Sequence, residues 1–221
     1  MIEWASVKLA VFDLDGTLYD QRAMRLRMAA MLAGHSLASF DLQLPRIIAA
    51  YRRIREELAE EEVEAFEPRL IEKVAARFGR SEAKVAAVVS EWMEHKPLPL
   101  LRACRFDGVA ELFHGLRRTG RVIGVLSDYP ATAKLAKLEL EADHIVAAAD
   151  PDVMMLKPNP KGLMHMMALA NAAPGETVMI GDRPERDGEA GRRAGVKTYI
   201  RTRKSVDGWD CFSTFQQIAI H

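Results

Sequence analysis

The chain has 221 residues, of which 49% are hydrophobic and 28% charged, proportions typical of a folded globular protein rather than a disordered chain. Its 31 basic and 31 acidic side chains balance, so no bulk charge attracts nucleic acid or an anionic membrane. The sequence shows no secretory signal, no apolar run long enough to span a membrane, and only two cysteines, Cys104 and Cys211. We therefore expect a cytoplasmic monomer or homodimer with no nucleic-acid or membrane partner.

The first predicted strand, Lys8–Phe12, is followed by a long segment that has only helical patterning. Leu44, Ile48 and Tyr51 recur at helical spacing, a later helix ends at Gly79, and Ser81 can cap the next one. No strand pattern interrupts this segment. We therefore expect an all-α insertion, a four-helix bundle over residues 19–96, in a core domain formed by residues 1–18 and 97–221. An acid-rich stretch beginning at Glu56 is interpreted as a solvated helix face and loop.

Strands and helices alternate after the insertion. Further strands are predicted at Val122–Ser127, His144–Ala147, Thr177–Ile180 and Thr198–Ile200. Helices are predicted at Val109–Arg118, Ala131–Leu140, Lys161–Ala170 and Glu185–Ala194. Continuous apolar strands that alternate with helices form right-handed βαβ units with both sheet faces buried. The pattern predicts an α/β fold, a three-layer, Rossmann-like parallel sheet that carries the helical insertion.

Polar residues follow four segments of this predicted sheet. Asp13 and Asp15 follow the first strand, and Ser127 ends the second. Lys157 stands before a proline in the next loop, and Gly181-Asp182 ends a later strand with Asp187 five residues beyond. Each feature alone is usually a turn or a helix cap. Together, at the strand edge where open α/β sheets bind ligands, they predict a catalytic site.

This set of motifs resembles the haloacid dehalogenase-like hydrolase superfamily, and the match covers most of the chain. The motifs are Asp13-x-Asp15-Gly16-Thr17, then Ser127, Lys157-Pro158, and Gly181-Asp182 with Asp187. An insertion directly after the first motif is similar to the family's first type of helical cap, as in phosphoglycolate phosphatase-like members. The motifs are specific for the superfamily and not for a substrate.

Phosphoryl transfer needs a nucleophile, neutralised phosphate oxygens and a proton for the leaving oxygen. We expect Asp13 to be the nucleophile and Asp15 the general acid and then the general base. Ser127 and Lys157 would bind the phosphoryl oxygens. Several acids around an anionic substrate require a cation, and Mg²⁺ suits oxygen ligands. The resemblance implies that Asp13, Asp182 and the backbone carbonyl of Asp15 bind it, with Asp187 ligating through water or orienting Lys157.

Asp128 departs from the asparagine that is common after the second-motif serine. We expect it to be the N-cap of the following helix, and otherwise to face the phosphate site, where it would favour a substrate with a positive group or serve the cap hinge. Substrate choice is expected at early insertion residues, for which the alternative is an exposed basic helix face. These residues are Tyr19, Asp20, Arg22 and Arg25. Arginines there would suit a second anionic group, as in phosphoglycolate, or a sugar phosphate.

The predicted function is Mg²⁺-dependent hydrolysis of a small phosphorylated metabolite through an aspartyl-phosphate intermediate. One alternative is a phosphomutase that returns the phosphoryl group to a sugar. A haloacid dehalogenase is disfavoured because halide departure needs neither the second acid, Asp15, nor Mg²⁺. A phosphate-binding protein without catalysis is disfavoured because Asp13, Asp15, Lys157 and Asp182 are all present.

Overall fold

A computed structural model describes residues 2–39, 41 and 43–220 of the chain. Its sheet contains six described strands: β1 (Leu9–Phe12), β2 (Val122–Ser127), β3 (His144–Ala147), β4 (Thr177–Gly181), β5 (Lys197–Arg201) and β6 (Asp210–Phe212). All neighbouring strands are parallel, in the order β3-β2-β1-β4-β5-β6. The five predicted strands are confirmed. β6 was not predicted, because it has three residues and two of them are exposed, so it carries no buried apolar run.

The segment after β1 is helical, as predicted. Its described helices are α1 (Gln21–Ser39), α2 (Leu44–Glu60), α3 (Phe66–Phe78) and α4 (Glu82–Val89), which continues as a π-helix over Ser90–His95. Gly79, with φ +60°, ends α3, and the Ser81 hydroxyl accepts the Lys84 N–H at the start of α4, as expected for these two caps.

Packing divides these helices unequally. Apolar side chains of α2, α3 and α4, among them Ile54, Leu70 and Val85, form one cluster that also includes Ala148 and Leu156 from the segment after β3. The buried methionines of α1, Met24 and Met28, belong instead to the larger cluster that continues to the sheet. The expected four-helix bundle is therefore not confirmed as a single core, although the all-helical content is.

Both faces of the sheet are covered. The remaining helices are α5 (Val109–Arg118), α6 (Thr132–Leu138), α7 (Lys161–Leu169) and α8 (Glu189–Arg193). Ala10 and Phe12 of β1 share a cluster with α5 and α6, whereas Leu9 and Val11 share one with α7. Successive strand residues point to opposite faces, so helices lie on both sides. The α/β architecture with a Rossmann-like parallel sheet is confirmed.

The predicted helix Glu185–Ala194 is divided in two. Its first part is a π-helical turn over Pro184–Gly188, in which the Gly188 N–H donates to the Arg183 carbonyl at 3.3 Å. The cause lies in Asp187, whose carboxylate accepts the N–H groups of Asp182 and Arg183 and draws this turn toward the end of β4. Regular α-helix begins only afterwards, as α8.

The topology places a crevice at the carboxyl end of β1. From β1 the chain moves outward to β2 and β3, then crosses back to β4 on the other side of β1. Such a switch point leaves an opening above the strand ends, where open α/β sheets bind ligands. None of the helices in the described ranges is both long and apolar enough to cross a lipid bilayer.

Candidate active site

The loop after β1 starts the site. The Asp13 N–H continues the sheet by donating to the Ile180 carbonyl at 2.8 Å, and Thr17 donates its hydroxyl to Asp13 Oδ2 at 3.0 Å. Gly16 has a φ of +105°, and a Cβ there would collide with the Asp182 carboxylate. A glycine is thus required both by the backbone conformation and by the close approach of the β4 loop.

Lys157 connects the acids. Its Nζ lies 2.5 Å from Asp13 Oδ1 and 2.7 Å from Asp187 Oδ1, and its side chain is only 4% exposed. The loop after β3 therefore delivers one buried ammonium between the carboxylates of two other loops. The predicted neighbourhood of Asp13, Lys157 and Asp187 is present in the structure.

Negative charge exceeds positive charge in this cluster. Burial raises the pKa of Asp13 well above its usual range despite the Lys157 charge, and the carboxylates of Asp187 and Asp182 raise it further. Burial and the Asp187 charge raise the pKa of Asp182 to about 7. Burial alone would lower the pKa of Lys157, but the adjacent carboxylates raise it well above its usual value. One lysine does not neutralise three acids, so the site favours an additional cation.

The residues present fit a metal ion. Asp13, Asp182 and Asp187 each offer a carboxylate oxygen, and these oxygens lie within 4.8 Å of one another. Asp182 Oδ1 is buried and has no hydrogen-bond partner among the described residues. A set of hard oxygen donors that includes an unpaired buried oxygen suits a divalent cation that prefers oxygen ligands. The Asp15 side chain is not part of this cluster.

Asp15 has partners of its own. Lys134 of α6 donates to both of its carboxylate oxygens, at 2.7 and 2.9 Å, and the Tyr19 hydroxyl donates to Oδ1. Although burial raises the pKa of Asp15, the Lys134 charge and these hydrogen bonds lower it below its usual value. Sequence reasoning missed Lys134, because a lysine seven residues after Ser127 on a helix carries no signal of its own.

Ser127 and Asp128 follow β2. The Ser127 hydroxyl is buried and accepts the Tyr129 N–H at 3.1 Å. The N-cap expectation for Asp128 is wrong: α6 begins at Thr132 after Ala131, and no side chain caps it. Asp128 Oδ1 instead accepts the Lys157 N–H at 3.2 Å, which ties the second motif to the third. The intervening residues 129–131 move the helix start out of reach of Asp128.

A cavity of about 120 Å³ joins the sheet edge to the helical insertion. It is lined by Asp13, Asp15, Asp128, Lys157, Asp182 and Asp187 and, from the insertion, by Tyr19, Arg25, Arg52 and Arg55. Two of the four predicted specificity residues, Tyr19 and Arg25, therefore lie on it. Asp20 instead accepts the N–H groups of Arg22 and Ala23 at the start of α1, and Arg22 is exposed outside this cavity.

Glu56 links the insertion to the catalytic loops. Its carboxylate accepts two hydrogen bonds from Arg183, at 2.9 and 3.0 Å, and one from Arg186 at 2.6 Å. Arg186 is buried and also donates to the Lys157 carbonyl at 3.0 Å. The interpretation of this acidic stretch as a solvated face is therefore wrong for Glu56. Glu62 is exposed, as that interpretation expects, and forms a surface ion pair with Arg193.

Comparisons with known proteins agree with this geometry. The family model described as haloacid dehalogenase-like hydrolase matches residues 7–195. A phosphoglycolate phosphatase of Xylella fastidiosa is 30% identical over 200 residues, which cover 87% of this chain and 79% of that protein. The pyrophosphatase PpaX of Bacillus mycoides is 33% identical over 98 residues, covering 42% and 44%. The structure of the HAD-hydrolase YfnB of Bacillus subtilis, bound to magnesium, has a TM-score of 0.69 at 14% identity over 96% of each chain, a likeness of fold.

Proposed function

This chain belongs to the haloacid dehalogenase-like hydrolase family, and we propose that it hydrolyses a small phosphorylated metabolite, with Mg²⁺, through an aspartyl-phosphate on Asp13. Family and phosphatase-named relatives make it a phosphoric monoester hydrolase. The single observation that carries the finer proposal is the meeting of Asp13, Lys157, Asp182 and Asp187 at one strand edge, beside Asp15.

In the first half-reaction an oxygen of Asp13 attacks phosphorus, and the bond from phosphorus to the leaving oxygen breaks. The leaving oxygen takes a proton from Asp15 and departs as an alcohol. Asp15 must carry that proton when the bond breaks, whereas the Lys134 charge, with Nζ 2.7 Å away, stabilises the ionised carboxylate that the second half-reaction uses. Lys157 holds Asp13 in place and neutralises charge on the phosphoryl oxygens.

In the second half-reaction a water attacks the phosphorus of the aspartyl-phosphate while Asp15, now ionised, takes its proton. The bond from phosphorus to the Asp13 oxygen breaks, and inorganic phosphate and free Asp13 result. Protons balance over the cycle, because Asp15 donates one to the leaving oxygen and accepts one from the attacking water. The Ser127 hydroxyl accepts the Tyr129 N–H and keeps its own hydrogen to donate to a phosphoryl oxygen.

Mg²⁺ bound by Asp13, Asp182 and the Asp15 carbonyl, with Asp187 beside them, would supply positive charge against the phosphoryl oxygens. Support comes from the unpaired Asp182 oxygen and from the raised pKa values of Asp13 and Asp182. We assign residues 1–18 and 97–221 to the catalytic core and 19–96 to a cap over the site. Free Cys104 and Cys211 support a reducing cytoplasmic setting.

Phosphate-ester chemistry is preferred over dehalogenation because of Asp15. A halide leaves carbon without taking a proton, so dehalogenation does not need a general acid. Asp15, which Lys134 and Tyr19 orient at the cavity, would have no role in that reaction. The relatives named for phosphoglycolate and for pyrophosphate suggest small phosphorylated substrates.

The test is release of inorganic phosphate from a panel of phosphorylated metabolites, with Mg²⁺ and with the metal chelated. We expect metal-dependent release from the wild type and none above background from Asp13→Asn. Asp207→Asn, at an exposed position, is the matched control and should behave as the wild type. Folded wild-type protein that releases no phosphate from any substrate with Mg²⁺ would overturn the proposal. Isomerised sugar phosphate in place of released phosphate would identify a mutase.

A further inference from the structure

Arg55 is a buried cation without a counter-charge. Arg55 lies on α2, is only 4% exposed, and lines the same cavity as Asp13. Its only hydrogen bond to a described residue runs from Nη1 to the Tyr51 hydroxyl at 3.3 Å, and its Nε is buried without a partner. No carboxylate of the described ranges lies within ion-pair distance of its guanidinium.

Two aromatic rings hold the guanidinium in place. Its central carbon lies 4.2 Å from the centroid of the Tyr129 ring and 4.8 Å from that of Phe66. Stacking of this kind stabilises a cation through the ring faces. A guanidinium has five N–H donors at its edge, and apart from the one that Tyr51 accepts, those of Arg55 have no acceptor among the described residues. Arg55 is therefore fixed in orientation but not satisfied in hydrogen bonding.

Other buried cations on this cavity are paired. Lys134 contacts Asp15, Lys157 contacts Asp13 and Asp187, and Arg186 contacts Glu56. A buried charge without a counter-charge is unfavourable, as in a buried ion pair from which one partner has been removed. Arg55 differs from these three cations because the side chains that it contacts, Tyr51, Phe66 and Tyr129, are neutral.

Arg52, one helical turn before Glu56, adds positive charge to the side of the cavity that α2 forms, which we call the arginine wall. It is half-buried on the cavity and makes no hydrogen bond or ion pair within the described part of the chain. Of the acids that line the cavity, Glu56 is bonded to Arg183 and Arg186, and Asp128 to the Lys157 N–H, and none forms an ion pair with Arg52 or Arg55 among the described residues. The arginine wall is thus free to bind a ligand anion.

We propose that Arg55, supported by Arg52, binds a second anionic group, a carboxylate or a phosphate, on the leaving-group side of the substrate. This inference rests on the proposed phosphatase function, which places the transferred phosphate at Asp13. It makes Arg55 a specificity-determining residue. An ester with a second negative charge would contact both the sheet edge and Arg55, whereas an ester with a neutral leaving group would contact only the sheet edge.

The experiment compares three phosphorylated compounds on the full-length protein with Mg²⁺. Phosphoglycolate supplies a carboxylate, pyrophosphate a second phosphate, and 2-hydroxyethyl phosphate a neutral group of similar size. We expect kcat/KM for at least one of the doubly anionic compounds to exceed that for the neutral one by about 10- to 100-fold, the range of a charge-assisted hydrogen bond. Arg55→Gln should bring this ratio to within about threefold of one, and Arg55→Lys should lie between.

Arg53→Gln is the matched control, because Arg53 is exposed on the same helix and pairs with Glu57. Binding is measured separately by calorimetry, with phosphonoacetate against ethylphosphonate, neither of which is hydrolysed. The affinity ratio should follow the same pattern across the variants. Thermal unfolding checks that Arg55→Gln is folded. If Arg55→Gln does not fold, Arg55→Lys, which keeps the buried charge, tests the inference by its loss of the preference for doubly anionic compounds.

The outcomes separate the two proposals. Hydrolysis of all three compounds at similar kcat/KM, without preferential phosphonoacetate binding, overturns the inference and leaves the phosphatase intact. An equal loss of preference in Arg53→Gln also overturns it, because the effect would then be one of general charge. Arg55-dependent phosphonoacetate binding without any hydrolysis supports the anion site and overturns the phosphatase. If the protein neither hydrolyses any of the compounds nor binds phosphonoacetate in an Arg55-dependent way, both proposals are overturned.

Discussion

The two walls of the cavity carry opposite imbalances of charge. At the carboxyl edge of the sheet, Asp13, Asp182 and Asp187 surround the single ammonium of Lys157. On the helical wall, Arg52 and Arg55 face the cavity with no carboxylate partner among the described residues. A site that needs a cation at one end and an anion at the other selects both the direction and the charge of its ligand. Under the two proposals, the reaction takes place at the sheet edge and the helical wall selects the substrate.

The largest expected effect is at Lys157, the cation of the sheet edge. Lys157→Met should lower phosphate release by at least about 10³-fold, since Asp13 loses its partner and the phosphoryl group its charge. It should also lower the free energy of unfolding of the metal-free protein by about 3 kcal/mol, because buried acids lose their counter-charge. Phosphate release and urea unfolding measure the two effects.

Lys161→Met, at an exposed lysine paired with Glu64, is the control for Lys157→Met and should leave both quantities near the wild type. If Lys157→Met kept phosphate release within tenfold of the wild type, the sheet edge would not be the catalytic wall.

Asp182→Asn should change metal dependence and metal-free stability in opposite directions. Phosphate release at a fixed, limiting Mg²⁺ concentration should fall by at least about 100-fold, because a metal-binding oxygen is lost. In the metal-free wild type, the Asp182 pKa of about 7 exceeds its ordinary value of 3.8, so the folded state retains a proton that the unfolded state releases. The wild type should therefore lose stability relative to Asp182→Asn as pH rises from 4 to 7, by about 2–4 kcal/mol.

Urea unfolding in the presence of a chelator, at pH 4 and pH 7, measures this difference for Asp182→Asn. A wild type that gains stability relative to the variant over this range would show that the acids of the sheet edge are already neutralised without a metal.

Lys134→Met tests whether Asp15 needs orientation. We expect kcat to fall by about 10- to 100-fold with KM changed less than about threefold, because Asp15 acts on the breaking bond and not on binding. Lys134→Arg should recover part of the loss. Lys137→Met, exposed on the same helix, is the control. Steady-state kinetics on the best substrate measures both constants, and a change in KM alone would place Lys134 with the binding wall instead.

The smallest effect is expected at Glu56, where the two walls meet. Burial raises its pKa, but hydrogen bonds and charges from Arg183 and Arg186 lower it to about 2, against an ordinary 4.5. A lowered folded pKa stabilises the protein above pH 4.5, and this contribution is lost as pH falls toward 2. Glu56→Gln should cost about 1 kcal/mol at pH 7, a modest value because solvent screens the half-exposed carboxylate, and the cost should shrink on acidification.

Unfolding free energies of the wild type and Glu56→Gln between pH 3 and pH 7 measure this difference. Glu57→Gln, which alters the exposed pair with Arg53, is the control and should show little pH-dependent difference. A constant difference between the wild type and Glu56→Gln over this range would mean that packing, and not the ion pairs, links α2 to the catalytic loops.

The strands and the acids at their ends could be predicted because both are local signals. A strand buried on both faces is an uninterrupted apolar run, and the residues directly after parallel strands share one edge of the sheet. Asp13, Lys157, Asp182 and Asp187 therefore met as expected. β6 was missed because a three-residue edge strand with two exposed residues lacks that run.

The partners across the cavity were beyond prediction, because a charged residue on a helix looks the same whether it faces solvent or a site. Tens of residues or more separate Lys134 from Asp15, Arg55 from Tyr129 and Glu56 from Arg186, and only the packing of the helices above the sheet brings these pairs together. Asp128 shows the same limit, since its choice between the α6 N-cap and the Lys157 N–H depended on where that helix began. Local patterning thus determined the fold class and the acids at the strand ends, whereas the packing of the helices above the sheet decided which charges were paired and which were not.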